Sequence, residues 1–266
     1  MFDSYNRHIT YLRISVTDRC NLRCTYCMPE GGVPMLKHED ILTFDEIVEF
    51  TRVAAHMGIN KVRITGGEPL VRRGIVDLVG MIAKIDGITD LAMTTNAILL
   101  KQFAQPLFNA GLKRVNISLD TLNPKRFTEI TRGGNIKDVI EGIHVAKEIG
   151  FHPIKINCVV NKSSNEPDAL EVRKFALDNG LQVRFIPLMD LDNGIHGVVE
   201  GGEGGDCAIC NRLRLTANGM VKPCLFSDIE YSVRELGARE AILKAIEEKP
   251  ACGGISSRGE FYNVGG

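Results

Sequence analysis

The sequence predicts an α/β fold with a parallel sheet, and three observations carry the prediction. Short β-branched runs alternate with amphipathic helical segments six times between residues 11 and 189, the pattern of strand–helix–strand units with right-handed crossovers. A length of 266 residues suits a single α/β barrel. Polar and reactive residues gather where the expected strands end, the rim at which such sheets and barrels bind ligands.

Taken in order, residues 11–17 (YLRISVT) read as the first strand, and residues 43–58 as a helix with Thr43 and Glu46 in a capping box and Gly58 as terminator. Strands follow at 61–67, 91–96, 113–120, 154–160 and 182–189, each β-branched and short. The intervening segments 74–85, 100–111, 124–131, 136–149 and 167–179 carry apolar residues at helical spacing. The strand ends bear, in turn, Cys20, Cys24 and Cys27; GGEP at 66–69; Thr94, Thr95 and Asn96; Ser118 and Asp120; Asn157; and Met189 with Asp190. After Met189 the alternation stops. Residues 190–207 are glycine-rich and acidic, and read as a flexible connection. Asn218-Gly219 between alternating segments predicts a hairpin, and 233–248 a short helix. The expected division is a barrel over 1–189 and a cysteine-bearing C-terminal region over 190–266.

Composition narrows the function classes. Apolar residues are 44% and charged residues 24%, and the formal net charge of −1 gives no general attraction to nucleic acid or anionic membrane. No apolar run reaches bilayer-spanning length, and the opening MFDSYNRHIT lacks the layout of a signal peptide. The chain is therefore expected in a reducing cytoplasm, where eight cysteines are ligands or catalysts rather than disulfides.

Cys20, Cys24 and Cys27 form C-x-x-x-C-x-x-C. A structural zinc takes four protein ligands, and only His38 stands nearby as a fourth. A redox C-x-x-C would leave Cys20 idle. A cubane iron–sulfur cluster has four irons and usually four thiolates, so three thiolates leave one iron open to a small ligand. This motif, with Tyr26 before its last cysteine and GGEP at the next strand end, resembles the radical S-adenosylmethionine (SAM) superfamily. The resemblance implies a partial (β/α)6 barrel and a 4Fe–4S cluster whose open iron chelates SAM. The cleaved cofactor then yields a 5′-deoxyadenosyl radical that abstracts hydrogen.

Cys207, Cys210 and Cys224 are a second group of three, with the 218–219 hairpin bringing Cys224 back toward Cys210. Zinc remains open for this triad by spacing alone, and a second three-thiol cluster is the reading favoured beside the first. Arg212 and Arg214, two apart on a strand, share one face and suit phosphate. With LRISVTDRCNLRCTYCMP, KVRITGGEPLVRR, TTNA, VNISLD, IKIN, RFIPLMD, CNRLRL and a terminal GG in order, the chain is similar along nearly its whole length to the molybdenum cofactor biosynthesis protein A family, GTP 3′,8-cyclase. That resemblance implies two 4Fe–4S clusters and GTP as substrate, cyclised to (8S)-3′,8-cyclo-7,8-dihydroguanosine 5′-triphosphate. It assigns the nucleotide to Arg13, Arg63, Thr94, Lys155, Arg212 and Arg214, and SAM to Tyr26, Gly67, Ser118 and Met189. Gly265 and Gly266 become a catalytic tail. An external electron donor, a homodimer and a cyclic pyranopterin synthase acting on the product are the implied partners.

Two features depart from the family. The span between PLMD and CAIC is shorter by several dozen residues, and Cys252 in KPACGG is an extra thiol, read as a free surface or tail residue, the alternative being that it reaches the second cluster and fills its open iron. Cys158 reads as a small core residue. The competing functions are a radical SAM peptide-modifying enzyme with an auxiliary cluster, and a zinc- or cluster-binding interaction protein without catalysis.

Overall fold

The computed structural model describes residues 1–257; the expected glycine tail, Gly265 and Gly266, lies outside the described residues. Six parallel strands form as the alternation predicts: β1 (Tyr11–Ser15), β2 (Lys61–Thr65), β3 (Asp90–Thr95), β4 (Arg114–Ser118), β5 (Ile154–Val160) and β6 (Gln182–Pro187). The helices between them are α1 (Phe44–His56), α2 (Ile75–Ala83), α3 (Leu100–Asn109), α4 (Pro124–Thr131), α5 (Ile136–Ile149) and α6 (Pro167–Asp178). Thr43 caps α1, its hydroxyl accepting from Glu46 N while Glu46 accepts from Thr43 N, the reciprocal box that its spacing implies.

Residues beyond Met189 extend the same sheet. β7 (Arg212–Leu215) runs parallel to β1, and β8 (Met220–Lys222) and β9 (Tyr231–Ser232) follow antiparallel. The order β6-β5-β4-β3-β2-β1-β7-β8-β9 has two free ends among the described residues, so the barrel is partial. The hairpin forms where Asn218-Gly219 puts it, with Gly219 at φ +86° and Thr216 N donating to Met220 O at 2.9 Å.

Two elements differ from expectation. Residues 190–207 are a folded loop, not a flexible connection: Glu200 exchanges backbone hydrogen bonds with Phe185, and Asp190 with Ile195. Gly205 packs so closely on Gly197 that a Cβ there would lie 1.8 Å from its carbonyl oxygen. The helix expected over 233–248 is two, α7 (Val233–Leu236) and α8 (Ala238–Glu247), broken at Gly237 (φ +79°, ψ 158°).

Strand parity sorts the core from the site. Leu12, Ile14, Val62, Ile64, Val115 and Ile117 point into the helical layer and are essentially inaccessible, each worth about 1.5–3 kcal/mol of burial. Cys158 shares this parity and is buried as expected. The opposite parity faces the hollow of the barrel, and there most side chains are polar or cationic, with Ala92, Val159 and Ile186 as exceptions.

Candidate active site

The first cysteine loop is fastened at both sides. Arg23 N and Thr25 N donate to Thr131 O and Ile130 O at the end of α4, and Arg132 Nη1 reaches Arg23 O and Met28 O. Cys20, Cys24 and Cys27 line one cavity of about 190 Å³ together with Tyr26, Gly67, Thr94, Ser118, Asn157 and Met189. Burial, reinforced by the neighbouring thiols, pushes the Cys24 thiol up to about 12 and Cys27 to about 11. Three thiols that repel one another as thiolates suit a cationic cluster. Thr94 Oγ1 and Asn157 Oδ1 line the same cavity, buried and without a hydrogen-bond partner among the described residues. These polar atoms and the three-thiol donor set fit a 4Fe–4S cluster carrying a small polar chelator.

Glu68 organises the next strand end. Its carboxylate, almost wholly buried, accepts from Leu70 N (3.0 Å), Thr95 Oγ1 (2.7 Å) and Asn96 N (2.7 Å). Asn96 Nδ2 in turn reaches Asn21 Oδ1 at 2.8 Å and Cys20 Sγ at 3.8 Å. Gly67 lies against the chain that feeds the cysteine loop: its N–H donates to Thr17 O, and a Cβ would meet Arg19 O at 2.4 Å. Tyr26 donates to Asp120 at 2.7 Å, and burial with that carboxylate holds the phenol well above its usual range.

The register sets a row of cations. Arg214, Arg13 and Arg63 stand opposite one another on β7, β1 and β2. Burial, with Arg13 and other cations nearby, brings both Arg63 and Arg214 down to about 9. Lys155 falls to about 8 through burial and the fields of Arg184, Arg114 and Arg63. In the orientation that satisfies both groups, Asn116 Oδ1 accepts from Arg63 Nη1 at 2.8 Å and Nη2 at 3.1 Å. Tyr11 lies under Arg13, Lys61 and Arg63, its ring centre 5.1–5.7 Å from each cation. Like charges held this close in a partly dry hollow favour a polyanion.

The second triad lines an adjoining cavity of about 140 Å³ with Arg13, Arg212 and Arg214. The two cavities share Asn157, Ile186 and Met189, so Met189 stands between them rather than filling the core. Burial pushes the Cys210 thiol up, but Lys249, Arg212 and Arg214 outweigh it and bring it down to about 7. Burial thus raises the thiols of the first triad, whereas cations lower Cys210 of the second. Cys252 is not a remote tail thiol. Its Sγ lies 2.9 Å from Cys207 Sγ.

The expected site residues that lie among the described residues therefore meet in one hollow, with two qualifications. Arg63 and Lys155 lie on its inner face but line neither cavity. Arg184, on β6 opposite Asn157, joins the cations unforeseen. Its parity with Gln182 and Ile186 was the available signal. Glu68 is marked in the sequence only as part of GGEP, and nothing local indicates the roles of Asn116 or Tyr11 in placing these groups.

The Radical SAM superfamily model matches residues 14–176. GTP 3′,8-cyclase of Thermodesulfovibrio yellowstonii is 43% identical, covering 94% of this chain and 94% of its own, and that of Alkaliphilus metalliredigens is 42% identical over 90% and 88%. The first alignment spans 307 positions, longer than this chain, so the relative carries segments absent here. Among solved structures, native anSMEcpe with bound AdoMet and a peptide has a TM-score of 0.61 at 16% identity, covering 91% of this chain and 81% of its own. The methylornithine synthase PylB has 0.58 at 15%, covering 76% and 61%. Both share the fold. With two cysteine triads on the inner rim, a superfamily match over most of the sequence and relatives above 40% identity along nearly all of it, this chain belongs to the GTP 3′,8-cyclase family of radical SAM proteins.

Proposed function

We propose that the chain converts GTP to (8S)-3′,8-cyclo-7,8-dihydroguanosine 5′-triphosphate in molybdenum cofactor biosynthesis. The observation that carries this reading is the in-register row Arg214–Arg13–Arg63, whose first two members line the second of two cavities that share a wall. Cys20, Cys24 and Cys27 hold a 4Fe–4S cluster, and Tyr26, Gly67, Ser118 and Met189 surround SAM. Bound there, these groups supply a 5′-deoxyadenosyl radical after one-electron reduction by an external donor. Cys207, Cys210 and Cys224 hold a second 4Fe–4S cluster.

The remaining work belongs to side chains. Arg13, Arg63, Arg214 and Lys155 bind the triphosphate, and Arg212 extends that surface toward the second triad. Thr94 and Asn157, with oxygens left unpaired among the described residues, offer hydrogen bonds to ribose. Asn116 fixes the Arg63 guanidinium, and the apolar wall of Ile186, Pro187 and Met189 excludes water from the radical. Residues 1–189 form the barrel unit, and 190–266 the auxiliary-cluster unit that lends β7 to its sheet. Gly265 and Gly266 act in cyclisation. A homodimer, and a cyclic pyranopterin synthase that consumes the product, complete the expected partners. A peptide substrate asks for no such convergence of cations, which disfavours the peptide-modifying alternative. Anaerobic incubation of reconstituted protein with SAM, reductant and GTP tests the proposal: 5′-deoxyadenosine with a cyclised nucleotide supports it, and 5′-deoxyadenosine without one refutes it.

A further inference from the structure

We propose that Cys207 and Cys252 form a reversible disulfide in the cluster-free chain, which withholds Cys207 from the second triad until it is reduced. The bond stands on the geometry alone; its effect on the second site rests on the reading of that triad as a cluster site. The two residues lie 45 apart in sequence, yet their sulfurs are 2.9 Å apart, and all eight cysteines are free thiols. That separation is closer than non-bonded sulfurs pack, and too close for thiolates on two irons of one cubane. Cys252 therefore does not fill the open iron of the second cluster. A disulfide at about 2.05 Å needs the sulfurs to close by less than about 1 Å.

The backbone holds the pair whether or not the bond is made. Arg7, buried and paired with Asp3 at 2.6 Å, sends Nη1 to Cys207 O (2.8 Å) and Ala251 O (3.0 Å), and Nη2 to Pro250 O (2.7 Å). One guanidinium therefore ties Cys207 to the residue preceding Cys252. Beyond Cys252, Gly254 N donates to Phe226 O at 2.9 Å and Ser256 N to Leu191 O at 3.1 Å, while the Ser256 and Ser257 hydroxyls donate to Asp228. His196, Cys207 and Cys252 bring one donor atom each within 4.8 Å of one another, and Cys210 and Cys224 are not in that group. Cys207 thus faces Cys252 more closely than it faces its partners in the triad.

Exposure sets the order of events. Cys252 is exposed and Cys207 half-buried, so Cys252 meets an oxidant first and Cys207 resolves it. With a small-molecule disulfide as oxidant, the Cys252 sulfur attacks one of its sulfurs and displaces the other as a thiol. The Cys207 sulfur then attacks that of Cys252 and displaces the second thiol. Two electrons pass from the protein pair to the oxidant, and the two protons end on the released thiols. A dithiol reductant reverses both steps. While the bond stands, the second triad keeps only Cys210 and Cys224, too few for a cluster held by three thiolates. Once iron holds Cys207, its sulfur is no longer available to Cys252. Assembly of the second cluster is thereby conditional on reduction of this pair.

Disulfide mapping tests this without turnover. The full chain, stripped of iron and reduced, is treated in native buffer with glutathione disulfide. Free thiols are then blocked, and linked peptides are identified by mass spectrometry without reduction. Cys252 should be the main partner of Cys207, in more than about half of the chains, and a dithiol should release the link. Cys210→Ala should keep it. Cys210 or Cys224 as the main partner of Cys207, or Cys252 left as a mixed disulfide with glutathione, would overturn the proposal. The same treatment of chain reconstituted to about eight irons should lower the link by about tenfold or more, and an undiminished link at that loading would overturn the competition with iron. A chain that forms the link but takes up only about four irons would refute the second cluster instead, with the disulfide itself supported.

Discussion

Replacing Arg63 with methionine separates a binding role from a structural one by sign. Arg63 is buried at the β2 end of the row Arg214–Arg13–Arg63 and held at about 9 against an ordinary 12.5. That difference, 12.5 − 9, spans roughly 3.5 pH units, an upper bound of about 5 kcal/mol of opposed charge in the ligand-free fold at about 1.36 kcal/mol per unit. Methionine preserves much of the volume and relieves that term, while stranding Asn116 Oδ1 at a cost of about 1–3 kcal/mol. The ligand-free variant should therefore be more stable, by at most about 2–4 kcal/mol, raising Tm by several degrees. GTP binding should weaken by about 10- to 150-fold, the loss of one charge-assisted contact worth about 1.5–3 kcal/mol. Scanning calorimetry without ligand and equilibrium binding of GTP measure the two. A variant that melts well below wild type, or that binds GTP as tightly, would refute the reasoning.

Other expectations follow the same geometry. Cys24→Ala should abolish 5′-deoxyadenosine formation and leave about four irons at the second triad, measured by iron analysis and chromatography; undiminished SAM cleavage would contradict the assignment. Glu68, held up to about 7 by burial against an ordinary 4.5, folds best protonated, so its contribution to ligand-free stability is full below about 4.5 and lost as pH rises through about 7. Glu68→Gln should flatten that slope in urea denaturation, and an unchanged slope would mean another group sets it. Deleting Gly265 and Gly266 should leave GTP affinity nearly unchanged while slowing cyclisation strongly, seen as a fall in kcat at constant Kd.

The parallel strands, the capped first helix and the first triad were legible because each is local: period-two apolar runs, a Thr-x-x-Glu box and a tight cysteine spacing. Arg13, Arg63 and Arg214 were legible singly, through motif resemblance, but their alignment depends on β7 pairing with β1 across some 200 residues, which no local pattern announces. The approach of Cys252 to Cys207 was illegible for the same reason. Its position is set by Arg7 at the other end of the chain, and a buried guanidinium binding three carbonyls leaves no periodic trace. The loop 190–207 looked flexible by its glycines, yet Gly205 and Gly201 are there because neighbouring backbone lies where a side chain would be.

In the proposed function, the hollow between the two triads holds GTP with its ribose against the site of radical generation. Turnover of reconstituted protein with GTP deuterated at C3′ tests it most directly. Deuterium in the 5′-deoxyadenosine, matched by a cyclised nucleotide, is the predicted result. Unlabelled 5′-deoxyadenosine with GTP recovered intact would contradict it.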